Sequence, residues 1–86
     1  MVILDSDHTY AHVAAELDAY APLVSPGDYL IVEDTSVNGH PLLPAYGAGP
    51  MEAARDFLQR DARFVVDDEC ERFMATLNPR GYLRRV

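Results

Sequence analysis

VILDSDH, residues 2–8, poses the problem that decides the fold, and YLIVEDT, residues 29–35, repeats it. Each is a short apolar run that breaks into carboxylates, with Asp5, Asp7 and His8 after the first and Glu33 and Asp34 after the second. Continuous, partly β-branched runs of this kind suit strands covered on both faces. Between the two the period changes. Tyr10, Val13, Ala14, Leu17 and Tyr20 recur at helical spacing, with His12, Glu16 and Asp18 among them. Asp7 or Thr9 can cap this helix, and Pro22 falls where it should end. Ser25-Pro26-Gly27-Asp28 is a turn signal. Strand, helix, turn, strand is a βαβ unit, whose strands run parallel through a right-handed crossover.

Downstream, residues 35–49 form a long connection rich in Gly and Pro, either a lid over a site or a plain link. Gly49-Pro50 opens a second helix with proline at its first position. Met51, Ala54, Phe57 and Leu58 form its apolar face, and Glu52 sits near the positive end of its dipole. Phe64-Val65-Val66 reads as a third strand and residues 72–77 as a fourth. The link between those two is too short for a helix, so they should pair antiparallel. Asn78-Pro79-Arg80-Gly81 is a turn, with Tyr82-Leu83 extended beyond it.

Eighty-six residues make one small domain, and the apolar share of 49% argues for a globular chain. A formal net charge of −7 argues against nucleic acid or an anionic membrane as partner. All 7 cations are Arg, so no Lys can serve as base, nucleophile or Schiff-base former. Its absence also leaves a phosphoacceptor receiver domain poorly supported. Cys70 stands alone, which excludes an internal disulfide and a thiolate metal site. No signal peptide or membrane span is visible, so a cytoplasmic location is expected. The chain opens on a strand almost at once, which suggests a piece of something longer.

In parallel sheets, ligands bind beyond the carboxyl ends of the strands. Neighbouring strands lie about 5 Å apart, so Asp7, Glu33 and Asp34 would converge. Such acids repel one another unless a cation or a shared proton sits among them, and all-oxygen ligation favours Mg²⁺ or Ca²⁺ over zinc. Taken singly, Asp5 reads as a turn former and Asp7 equally as a helix cap. His8 is either a ligand contact or a hydrogen-bonded loop histidine. His12 falls on the solvated helix face, His40 lies in the long loop, and the run Asp67, Asp68, Glu69, Glu71 reads as a solvated connection. No Gly-rich phosphate loop, serine nucleophile elbow or His-x-Asp iron motif is present.

LDSDHTY, YLIVEDT and NPRGYL, together with the sequence joining them, resemble the cephalosporin hydroxylase family over essentially the whole chain. That family has the fold of class I S-adenosylmethionine-dependent methyltransferases and includes rhamnosyl O-methyltransferase-like members. The resemblance implies an α/β domain, the C-terminal half of a Rossmann-like methyltransferase sheet, with parallel strands and a terminal antiparallel hairpin. It implies Mg²⁺ on Asp7, Glu33 and Asp34, and His8 against the S-adenosylmethionine cofactor. The activity implied is O-methylation of a hydroxyl on a sugar or other small molecule.

Two departures follow from the same resemblance. The Gly-rich motif that cradles the cofactor and the acid that holds its ribose have no counterpart in these residues, so 1–86 is expected to be a partial domain without its cofactor-binding half. The Lys base of catechol O-methyltransferases is replaced by Tyr10, which also fits the apolar stripe of the first helix. In the parent fold the 2–4 strand pairs with the first strand, and without that partner it would be an open edge. A homo-oligomer through that edge, or a complex with a separate N-terminal half, is therefore expected. The alternative is a non-catalytic fragment that folds or self-assembles without transferring a methyl group.

Overall fold

The computed structural model describes residues 1–5, 7–71 and 78–86. In chain order the elements are β1 (Val2–Leu4), α1 (Tyr10–Tyr20), a 3-10 turn (Ala21–Leu23), β2 (Tyr29–Val32), α2 (Pro50–Arg60), β3 (Phe64–Val66), a second 3-10 turn (Asp68–Glu71) and β4 (Tyr82–Arg85). The sheet order is β1-β2-β4-β3. β1 and β2 run parallel, pairing Val2 with Leu30 and Leu4 with Val32. β4 is antiparallel to both its neighbours, β2 and β3. The fold is thus the expected α/β arrangement of a parallel pair with an antiparallel part. The antiparallel partner of β3 is Tyr82–Arg85; the strand expected over 72–77 lies outside the described residues.

The helices begin and end for local reasons. Thr9 is the N-cap of α1, but its side chain makes no cap bond. The Thr9 N–H instead donates to Asp7 Oδ1 at 2.9 Å, a turn closed just ahead of the helix. Pro22, inside the 3-10 turn, ends the regular helix. α2 starts with Pro50 at its first position behind Gly49. Glu52 reaches back to accept the Gly49 N–H at 2.8 Å, which satisfies one of the orphan donors of the helix start.

Both helices pack against each other and against the sheet, α1 on β1 and α2 on β2. Leu4, Leu30, Val32, Phe64 and Leu83 from the strands meet Val13 and Leu17 of α1 and Ala53, Ala54 and Phe57 of α2. Fully burying each Leu or Val contributes about 1.5–3 kcal/mol, an upper figure because the unfolded chain already hides some of that surface. The Phe57 and Phe64 rings tilt at 58° with centroids 5.5 Å apart, tying α2 to β3.

The expectation of strands covered on both faces needs correction. Side chains alternate across a strand, so Leu4, Leu30 and Val32 turn inward while their neighbours turn out. Ile3 is 50% and Val65 38% exposed. Ile3, Ile31 and Tyr82 fall in one register row on that outer face. No helix among the described residues is long and apolar enough to cross a membrane.

Residues 35–49 contain no helix or strand, yet their first half is well tied. Ser36 O accepts the N–H groups of His40 and Leu42 at 3.1 and 2.9 Å, and Asn38 Oδ1 accepts that of Gly47 at 3.1 Å. His40 Nε2 and Glu52 Oε2 are 2.6 Å apart, so the loop is pinned to the start of α2. Burial pushes the Glu52 carboxyl up, but the Gly49 N–H and the His40 ring outweigh it and leave it below its ordinary value.

Two predictions follow. A Cβ at Gly81 would overlap the Val32 carbonyl oxygen, whereas one at Gly27 (φ +86°) would meet nothing within 4 Å. Gly81→Ala should therefore cost about 3 kcal/mol in urea unfolding and Gly27→Ala only about 1 kcal/mol. Glu52, whose folded pKa lies below the unfolded one, adds stability above the unfolded value that is lost as pH falls through the folded one. In thermal melts Glu52→Gln should lose about 1 kcal/mol at pH 7. That deficit should fade as pH falls below the ordinary Glu value of 4.5.

Candidate metal centre

The parallel ladder does not stop at Leu4 and Val32. Glu33 N–H donates to Leu4 O at 3.1 Å, so the backbone bonding reaches the first acid after β2. Asp5 and Glu33 therefore emerge side by side, each the residue after a paired strand position. Burial first, then the Asp5 carboxyl and the negative charge of Asp34, hold the Glu33 carboxyl above its ordinary value.

Asp34 turns the chain away from the strand with φ +57°, a left-handed conformation that Asp tolerates better than most residues. Its carboxylate Oδ2 lies 3.0 Å from His8 Nε2, and both side chains are about 30% exposed (30% and 29%). Asp5, His8 and Asp34 each offer one ligand atom, and these atoms lie within 4.8 Å of one another. Two carboxylates and one imidazole thus converge beyond the carboxyl ends of β1 and β2, and Glu33 precedes Asp34 at the same strand end.

Glu33, Asp34 and His8 thus stand at the strand ends where they were expected. Asp7 stands apart from this trio, its carboxylate on the Thr9 N–H; that bond and one from the Thr9 hydroxyl hold it below its ordinary value. Asp5, which reads from sequence as a turn former, is the aspartate that groups with His8 and Asp34. The signal for Asp5 is register: it follows Leu4, the partner of Val32, as Glu33 follows Val32. Tyr10 sends its hydroxyl to Asp56 on α2, which pushes the phenol up and turns it away from the acids. His12 lies 3.4 Å from Glu16 one turn on, on the exposed helix face. His40 is held by Glu52. Asp67, in the acidic run after β3, accepts the Tyr29 hydroxyl at 2.5 Å.

The donor set is rich in carboxylate oxygens, the chemistry that hard divalent cations select. The imidazole is paired to Asp34 and would enter such a site as a neighbour or an additional ligand.

Compared with known proteins, residues 1–86 match the family model described as Rhamnosyl O-methyltransferase/CmcI. The chain is 46% identical over 86 residues to the rhamnosyl O-methyltransferase of Mycobacterium bovis (strain BCG / Pasteur 1173P2), covering 96% of this chain and 35% of that relative. The same figures hold for the rhamnosyl O-methyltransferase of Mycobacterium tuberculosis (strain ATCC 25618 / H37Rv). The rhamnosyl O-methyltransferase of Mycobacterium leprae (strain TN) is 59% identical over 51 residues, 59% of this chain and 22% of that relative. The chain therefore spans about a third of the length of the curated relatives it matches over its full extent (35%). No solved structure matches it. The match to the family model runs from end to end, and the chain belongs to the Rhamnosyl O-methyltransferase/CmcI family.

Proposed function

We propose that this chain carries the metal-binding part of an Mg²⁺- and S-adenosylmethionine-dependent O-methyltransferase acting on a hydroxyl of a sugar or another small molecule. The observation that carries this reading is the convergence of Asp5, His8 and Asp34 beyond the ends of two parallel strands, with Glu33 next to Asp34 in the chain, in a member of this family. The relatives' name, rhamnosyl O-methyltransferase, favours a deoxysugar hydroxyl as acceptor.

Asp5, Asp34 and Glu33 would hold the metal, with Asp5 in the place that the family resemblance gives to Asp7. When bound, Mg²⁺ supplies Lewis acidity, lowering the pKa of an acceptor hydroxyl. The chain's own part is positional. Register fixes Asp5 against Glu33, and the left-handed turn at Asp34 brings its carboxylate back to His8. His8 pairs with Asp34 through Nε2, so its contact with S-adenosylmethionine would come from the rest of the ring. The cofactor's methionine and ribose sites would come from outside these residues. A second copy, or a separate N-terminal half, pairing along the free edge of β1 is the arrangement proposed for completing them.

The test is a calorimetric Mg²⁺ titration of the purified chain, with and without S-adenosylmethionine. Asp5→Asn, Glu33→Ala and Asp34→Asn should each abolish Mg²⁺ binding, while Asp7→Asn should leave it standing. Binding lost in Asp7→Asn but kept in Asp5→Asn would overturn the assignment of Asp5. No Mg²⁺ uptake by the wild type would sink the metal reading and leave a fragment that transfers nothing. Light scattering on a sizing column should show more than one chain per particle; a strict monomer at high concentration would count against pairing through β1.

A further inference from the structure

We propose that Asn78 is a positioning residue of this centre, holding the Asp34 backbone in the conformation that aims its carboxylate at His8 and Asp5. The proposal rests on the reading above for its metal and on the hydrogen bonds alone for the positioning.

A left-handed residue other than glycine needs something to hold it, because its Cβ crowds the following carbonyl oxygen. At Asp34 a local bond, Val37 N–H to Asp34 O at 3.4 Å, is joined by support from residues distant in sequence. The Asp34 N–H donates to Asn78 Oδ1 at 2.7 Å. The next residue, Thr35, is fully buried and donates its hydroxyl to Pro79 O at 2.6 Å. On the strand side, Val32 N–H donates to Gly81 O at 2.8 Å, and the turn is closed by Gly81 N–H on Asn78 O at 3.0 Å. Residues 78–81 thus lie along the end of β2, and glycine at 81 permits that approach.

Of these distant contacts only the Asn78 bond falls on Asp34 itself. The partner is a backbone donor, so the atom facing it must be the side-chain oxygen, and a side chain without an acceptor cannot replace it. Without that acceptor the Asp34 N–H loses its partner and the residue is free to relax toward negative φ. The carboxylate would then swing off the position 3.0 Å from His8 Nε2. Asn78 would not touch the metal, and its effect would pass through Asp34.

The experiment compares Asn78→Leu, which removes the acceptor, with Asn78→Asp, which keeps it. One readout is hydrogen exchange of the Asp34 amide in the metal-free chain, referenced to the in-strand amides of Leu30 and Leu83. The other is Mn²⁺ affinity from the spin resonance of free Mn²⁺, an ion that also takes oxygen donors. Asn78→Leu should speed exchange at Asp34 selectively and weaken Mn²⁺ binding about 10–100-fold, the usual cost of losing a support behind a ligand. Asn78→Asp should restore both. Unchanged protection of Asp34 in Asn78→Leu, or failure of Asn78→Asp to restore it while Leu30 and Leu83 stay protected, would overturn the proposal. Should Asn78→Leu not fold, Asn78→Ser, too short to reach Asp34, is read the same way. A wild type that takes up no Mn²⁺ sinks the metal reading, while Asp34 exchange still decides the role of Asn78.

Discussion

The bond from Glu33 N–H to Leu4 O is the contact on which the rest of this centre depends. It carries the parallel ladder one residue past the hydrophobic pairs and brings two acids out at adjacent positions. Ordinary strand physics would avoid this, since like charges on neighbouring strands repel. The His8 ring against Asp34 offsets part of that repulsion. An arrangement that opposes its own repulsion lies here at the place where parallel sheets bind ligands, which is the ground for the metal reading proposed above.

A second constraint works from the far end of the chain. β4 lies between β2 and β3, so the turn before it is carried across the end of β2. The approach at Gly81 is too close for any side chain, and it lets residues 78 and 79 reach Asp34 and Thr35. Sheet order and site geometry are therefore one problem. The strand that gives the sheet its antiparallel part also delivers the groups that shape the acid turn.

The βαβ unit was legible because three signals agreed: two apolar runs of strand length, a helical stripe from Tyr10 to Tyr20, and turn chemistry between them. The group of converging side chains was legible only in part. LDSDH offers two aspartates two residues apart, and only the end point of the ladder shows that Asp5 faces β2 while Asp7 closes the turn into α1. The cover of the sheet was not legible, because a run such as Val2-Ile3-Leu4 reads the same with one face buried or two. Asn78 was visible merely as a turn residue. Its bond to Asp34 spans 44 positions, beyond the reach of any local pattern.

β1 does two tasks with three residues. Its carboxyl end fixes Asp5, while in the described sheet β2 is its only strand neighbour and Ile3 stands half exposed. So short a strand, held on one edge, gives weak purchase against the repulsion among Asp5, Glu33 and Asp34. A strand added to its open edge would hold β1 from both sides and stiffen Asp5 against Glu33, without touching the acids. A cation drawn in by the acids would, in turn, relieve the repulsion among them. The two effects act on the same strand, so metal binding and association through the β1 edge should be thermodynamically linked, each favouring the other.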